Sequence, residues 1–194
     1  LEKVSRGEMS VGEAEAFFRR EPFEDMGYAK LDTHRKLRNG AAEVVFCSGK
    51  ADDHLVSIFQ RLWEQNGEVF GTRASRAQYE LVRQELPELT YDAVSRIMKI
   101  EKPGKKKIGK IAVCTGGTAD ISVAEEAAQT AEFFGNHVDR IYDVGVSGLH
   151  RLLSRLDVIQ SANCVVAAAG MEGALASVIG GLVDKPVIAV PTSV

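Results

Sequence analysis

"VCTGGTADISVAEEA", residues 113–127, runs from an apolar pair through a Gly- and Thr-rich turn into an Ala/Glu stretch of helical character. An apolar strand that passes through Gly-Gly directly into a helix is the joint of a βα unit. Repeated units of this kind imply a parallel sheet wound by right-handed crossovers. The chain repeats the joint downstream. "HVDRIYDVG" (137–145) reads as a strand before the helix "GLHRLLSRLDVIQS" (148–161), and "ANCVVAAAG" (162–170) as a strand before the helix "MEGALASVIGGLVDK" (171–185). "PVIAVPTSV" (186–194) reads as a closing strand.

Upstream the alternation is looser. "VGEAEAFFRR" (11–20) and "LDTHRKLRNG" (31–40) read as helices, the second stopped at Asn39-Gly40, so residues 1–40 are expected to form a helical arm. "AEVVFCSGK" (42–50) reads as a strand. The helix "DDHLVSIFQRLWEQNG" (52–67) places Leu55, Ile58, Phe59 and Leu62 on one face. "EVFGTRAS" (68–75), the helix "RAQYELVRQEL" (76–86) and a single strand "YDAVSRIMKI" (91–100) complete a small βαβαβ unit. "EKPGKKK" (101–107) has the composition of an exposed linker. The expected domains are therefore 1–40, 41–107 and 108–194.

Composition bounds the partners. The chain is 45% hydrophobic and 26% charged with a net charge of −3, which supplies no general attraction to nucleic acid or an acidic membrane. No stretch approaches the roughly 20 apolar residues of a membrane span. The chain opens on Leu1, as a trimmed start would, followed by charge rather than a signal core. Cys47, Cys114 and Cys164 are far apart and set among apolar residues, so neither a disulfide framework nor a tightly bound metal is expected, and a cytoplasmic location follows. Of the three, only Cys47, beside Ser48-Gly49-Lys50, has a setting that would allow exposure, and it is read as a structural thiol because Cys is commonly buried as a small hydrophobe.

Parallel sheets bind ligands at the carboxyl ends of their strands. The three turns at that edge, "TGGTAD" (115–120), "DVGVSG" (143–148) and "AAGMEG" (168–173), are rich in Gly and small residues. Gly116, Gly117 and Gly170 free backbone N–H groups to face an anionic ligand. Neither G-x-G-x-x-G nor a Walker loop occurs. Asp120 either caps its helix or orients a ligand hydroxyl. Glu172, in the most apolar stretch, is expected to be desolvated and to work as an acid or base, against the alternative of a carboxylate favoured by the helix dipole. Lys50 and Arg73, at strand ends, are either solvated charges or phosphate contacts, Arg with bidentate geometry.

"TGGTAD" with "AEEA", "YDVGVSGLHRLL" and "AAGMEGALASVIGGLVDKPVIAVPTSV" resemble the LarB family of nickel-pincer cofactor carboxylases, relatives of the PurE-class phosphoribosylaminoimidazole carboxylases. "AAEVVFCSGK" and "FGTRAS" carry the likeness upstream, so that it spans roughly residues 30 to 194. The resemblance implies an α/β fold: a PurE-like three-layer sandwich around a parallel sheet, preceded by a small α/β domain and the arm. It implies an enzyme that adds CO2 to the pyridinium ring of nicotinic acid adenine dinucleotide and hydrolyses the phosphoanhydride, releasing AMP.

By matching position, Thr118 and Asp120 would bind substrate, Asp143 and Gly145 would border the pocket, and Met171, Glu172 and Gly173 would flank the pyridinium. The family's nucleophilic Cys lies downstream of the motif matching "PTSV", so the resemblance puts it beyond Val194 and leaves domain 108–194 incomplete. No tightly bound cofactor is implied, a dissociable Mg2+ is left open, and a homo-oligomer, dimer or higher, is expected. Two other readings stay open. One is a purine-pathway carboxylase, disfavoured by Ala119 where those enzymes carry Ser and by "SGLHR" in place of "SAHR". The other is a nucleotide-binding module without chemistry.

Overall fold

The computed structural model describes residues 2–19 and 21–193. Leu1, Arg20 and Val194, at the expected chain start, helix end and strand end, lie outside the described residues. Contacts divide the chain into residues 1–43 and 44–194.

The first unit holds α1 (Glu2–Ser5), α2 (Val11–Phe18), β1 (Phe23–Asp25), β2 (Lys30–Asp32) and α3 (Arg35–Asn39). Ser10 and Glu13 form a reciprocal capping box that starts α2, Ser10 Oγ accepting from the Glu13 amide at 3.2 Å. The expected helical arm is corrected here, because β1 and β2 pair as an antiparallel hairpin. Asp25 accepts from the amide of Gly27 at 2.8 Å, and Gly27 has φ +84°. That turn folds the chain back and buries Leu31 in a strand where helix was expected. Asp32 then accepts from the amide of His34 at 3.1 Å and delays helix formation to Arg35.

The second unit carries two sheets. The first contains β3 (Val44–Phe46), β4 (Val69–Thr72), β5 (Thr90–Asp92) and β6 (Ile97–Ile100) in the order β3-β4-β6-β5, with α4 (Asp52–Asn66) and α5 (Arg76–Glu85) between strands. Leu55, Ile58, Phe59 and Leu62 are the buried face of α4, and Gly67 at φ +63° ends it. Only β3 and β4 are parallel; β4–β6 and β5–β6 are antiparallel. The expected single strand over 91–100 is a hairpin. Asp92 Oδ1 accepts from both the amide and the hydroxyl of Ser95, each at 2.7 Å, and Arg96 takes φ +57°, so the side chain closes a tight turn mid-segment.

The second sheet contains β7 (Lys110–Thr115), β8 (His137–Ile141), β9 (Cys164–Ala169) and β10 (Val187–Pro191) in the order β10-β9-β7-β8, every pair parallel. Alternate residues of β7 feed opposite faces. Ala112 and Cys114 enter a core with Leu152, Ile159, Leu175 and Ile179, while Val113 packs with Ala124 and Ala128. Thus α6 (Ile121–Phe133) covers one face and α7 (Leu149–Leu153), α8 (Leu156–Gln160) and α9 (Ala174–Leu182) cover the other, a three-layer α/β arrangement. The helix expected over 148–161 is broken at Ser154-Arg155, where Ser154 Oγ bonds the Arg151 carbonyl at 2.7 Å.

Residues 101–107 join the two sheets, and side chains bridge them. Phe70 and Phe133 have ring centroids 4.5 Å apart. Lys105 Nζ lies 2.6 Å from Glu68 and donates to the Phe133 carbonyl at 2.7 Å. Arg73 Nε meets Glu126 of α6 at 2.8 Å.

Candidate active site at the switch of the parallel sheet

With β7 flanked by β8 on one side and β9 on the other, the chain winds in opposite directions from β7. A crevice is therefore expected outside the carboxyl ends of β7 and β9. The glycine-rich turns meet there. Gly116 N–H donates to the Ala168 carbonyl at 2.9 Å, and a Cβ on Gly116 would stand 3.1 Å from the Ala169 side chain. Gly145 approaches still closer, since a Cβ there would be 2.4 Å from the Gly116 carbonyl oxygen. Thr115 is fully buried and its hydroxyl oxygen accepts from the Asp143 amide at 2.9 Å. These contacts clip the loop after β8 onto the loop after β7.

Asp120 is the buried carboxylate of the site, 3% exposed. Its Oδ2 accepts from the amide of Gly117 at 2.8 Å, and its Oδ1 accepts from the hydroxyl of Thr192 at 2.6 Å. A short 3-10 turn over Thr118–Asp120 leads into α6, so the carboxylate turns back into its own loop. Asp120 makes no side-chain cap bond to α6; its carboxylate instead closes the turn before the helix.

Asp143 has φ +57° and pairs with Arg151 at 2.6 Å. Beside them lies a cleft of about 270 Å³ lined by Arg140, Tyr142, Asp143, Arg151, Ser154 and Arg155, among others. The charges on its walls are unequal. Arg140 is held by two carboxylates, through 2.9 Å to Glu125 and 2.7 Å to Glu132. Burial works against ionisation of Glu125, but its bonds from Arg140 and from Tyr142, at 2.6 Å, outweigh it and hold its pKa below the usual carboxylate range. The Arg140 bond does the same for Glu132, with burial opposing it. Burial and the bond to Glu125 push the Tyr142 phenol up. Of the other cations lining this cleft, Arg151 is paired with the half-exposed Asp143, and Arg155 stands beside it.

Other expected site residues lie differently. Met171 is 92% exposed at φ +53°, Glu172 is exposed, and Gly173 takes φ +69°. Two left-handed residues, with Gly173 N–H donating to the Gly170 carbonyl at 3.0 Å, project the turn outward. The expected desolvation of Glu172 is therefore corrected, since its carboxylate lies at the surface. Thr118 is exposed, as is Lys50 in the turn after β3. Arg73, at φ +55°, directs its guanidinium to Glu126.

Cys47 takes the structural role. It is fully buried, so close to Gly71 that a Cβ there would meet its Sγ at 2.7 Å. Burial pushes its thiol up to about 12 against a smaller opposing pull from Lys50, and burial alone pushes Cys114 to about 12. Cys164 is half-buried. Among the described residues no three His, Cys, Asp or Glu side chains converge to hold a metal. No helix of the described residues is long and apolar enough to cross a membrane.

Sequence reasoning missed Thr115, Arg151 and Thr192. The signal for Thr192 is its place directly after a parallel strand, where side chains reach the ligand edge. For Arg151 it is the spacing of one helical turn behind Gly148.

Residues 23–102 match the LarB/PurE-like N-terminal domain, and residues 110–194 match AIR carboxylase. The chain belongs to the LarB/PurE-like family. A relative from Methanocaldococcus jannaschii, named only as an uncharacterised protein, is 38% identical over 197 residues, covering 96% of this chain and 77% of its own length. This LarB-type member, a PurE relative, carries its carboxylase-type domain on the parallel sheet, and the Gly116, Asp120 and Gly145 loops all belong to that domain.

Proposed function

We propose that this LarB-type protein adds CO2 to the pyridinium ring of nicotinic acid adenine dinucleotide and cleaves the phosphoanhydride, releasing AMP. The observation that carries this reading is the pairing of a LarB-type domain over 23–102 with a carboxylase domain over 110–194. The amides of Gly116 and Gly117, expected to face a ligand, are instead taken by the Ala168 carbonyl and the Asp120 carboxylate, so support for an anionic substrate comes from Arg151 and Arg155 in the cleft near the carboxyl edge of the sheet.

The ring is electron-poor and needs activation. A thiolate adding to a ring carbon sends an electron pair to the ring nitrogen and leaves an enamine-like carbon. That carbon attacks CO2, a base removes the ring proton, and expulsion of the thiolate restores aromaticity. Water then adds to one phosphorus, so that AMP departs and the other phosphate stays on the biscarboxylated mononucleotide.

In this reading Asp120, already anchored by two donors, orients substrate through its remaining lone pairs. Glu172, free at the surface of its turn, takes the ring proton. Gly116, Gly117, Thr118, Asp143, Gly145, Met171 and Gly173 form the walls. Arg151 and Arg155 meet phosphate, with Lys50 and Arg73 as further contacts, Arg73 by exchanging Glu126 for the ligand. Cys47 and Cys114 are poor candidates for the thiolate, being buried with raised pKa values. The proposed nucleophile is the Cys that the family resemblance implies after the motif matching "PTSV".

Mass spectrometry of the full-length protein with nicotinic acid adenine dinucleotide and bicarbonate tests the proposal. AMP together with a doubly carboxylated pyridinium mononucleotide is the expected result. The match to AIR carboxylase favours a second reading, carboxylation of aminoimidazole ribonucleotide. Turnover of that nucleotide with none of the dinucleotide would replace the first reading by the second.

A further inference from the structure

We propose that Thr192 is a positioning residue that fixes the Asp120 carboxylate and ties three loops of the site together, a role that rests on Asp120 acting as the substrate-orienting group. Thr192 is reached by no pattern in the Gly-rich turns, yet it bonds to two of them. Its hydroxyl donates to Asp120 Oδ1 at 2.6 Å across 72 positions of sequence. Its own amide donates to the carbonyl of Ala169 at 3.0 Å, one residue before the Gly170–Gly173 turn.

A carboxyl group that is 3% exposed needs hydrogen-bond partners for its buried oxygens. The described side-chain bonds of Asp120 come from neutral donors, the Gly117 amide and the Thr192 hydroxyl. The loop backbone supplies one and the end of β10 the other. Removal of the Thr192 hydroxyl therefore leaves Oδ1 without its donor and frees the end of β10 from the loop after β7. Thr192 thus joins the loop that carries Asp120, through its hydroxyl, to the residue before the turn that carries Glu172, through its amide. A positioning residue of this kind acts on the geometry of the reacting complex more than on its affinity.

The test uses the full-length protein carrying Thr192→Val, which keeps the shape and removes the O–H, and Thr192→Ser, which keeps the O–H. With nicotinic acid adenine dinucleotide, Thr192→Val is expected to lower kcat about 10-fold or more with KM changed less than about threefold. Thr192→Ser is expected to restore most of kcat. In an Asp120→Asn background Thr192→Val should add little further loss, because the two groups act as a unit. Amide exchange at Gly117, followed by NMR, should quicken in the Val variant and stay as in wild type in the Ser variant.

Equal losses in the Val and Ser variants, or losses that multiply with Asp120→Asn, would overturn the proposal in favour of a purely structural contact. If wild type turns over no dinucleotide, the functional reading fails, and Gly117 exchange decides the role of Thr192 without any substrate. Unchanged exchange in the Val variant then overturns it.

Discussion

Gly145 and Gly116 lie in van der Waals contact across the edge of the parallel sheet, close enough that a Cβ on Gly145 would stand 2.4 Å from the Gly116 carbonyl oxygen. The neighbour is backbone, so it cannot swing aside as a side chain would. The φ of Gly145, −60°, is one that Ala adopts freely, and its cost is therefore steric alone. Gly145→Ala is expected to destabilise the fold by about 1–3 kcal/mol, the range for overpacking a filled site. It should also impair turnover by moving the loop that carries Gly117 and Asp120. Gly116→Ala, whose Cβ meets the Ala169 side chain at 3.1 Å, should cost less. Urea midpoints of the two variants order the effects.

The parallel sheet was legible because β7 and β9 are near-continuous apolar runs and each ends in a small-residue turn, as "IAVCTGG" does. The hairpins at 23–32 and 90–100 were not. Their strands are three or four residues long, and their turns depend on Asp25 and Asp92 bonding local backbone and on Arg96 at positive φ, which its residue type disfavours. The loops bearing Gly116, Asp120 and Gly145 were readable for the same reason as the sheet. Burial of Glu172 was inferred from apolar neighbours in sequence, but its turn protrudes, and neighbours along the chain do not cover it. Thr192 and Asp120 meet through the fold across 72 positions, beyond the reach of any local pattern.

The buried thiols predict an alkaline weakness. Cys47 and Cys114 have folded pKa values of about 12 against 9.0 when unperturbed. Between those values the unfolded chain releases protons that the folded chain keeps, so stability present below pH 9 is lost as the pH rises toward 12. Each thiol contributes a slope of at most about 1.4 kcal/mol per pH unit. Urea unfolding at successive pH values from 7 to 10.5 should show stability falling above about pH 9. Cys114→Ala should flatten the fall while lowering stability at neutral pH.

Arg140 predicts the opposite limb. It bonds both Glu125 and Glu132, whose pKa values are held below 4.5. A depressed carboxylate contributes stability that is present above its unfolded pKa and lost as pH falls through its folded value. Arg140→Met leaves two half-buried carboxylates sharing one face of α6 without their cation. A loss of about 1–3 kcal/mol at pH 7 is expected, shrinking toward acid as the carboxylates are protonated. Adding Glu132→Gln should recover part of it at neutral pH. Melting curves at pH 4 and 7 for the single and double variants measure both statements.

Arg151 separates a ligand role from a structural one. Its partner Asp143 is half exposed and its own side chain 37% exposed, so the 2.6 Å pair between them is a surface ion pair worth about 0–1 kcal/mol. Arg151→Ala is therefore expected to leave the urea midpoint nearly unchanged. If the guanidinium instead meets a substrate phosphate in the cleft beside Arg155, the same variant raises KM for the dinucleotide about 10- to 100-fold. Arg151→Lys, which keeps charge but loses the planar fork, should fall between wild type and Ala. The KM effect should shrink as salt is raised, because the cleft is open to solvent. A lowered midpoint with unchanged KM would instead assign Arg151 to holding Asp143 in its left-handed conformation, and the phosphate would have to be met by Arg155, Arg73 or Lys50.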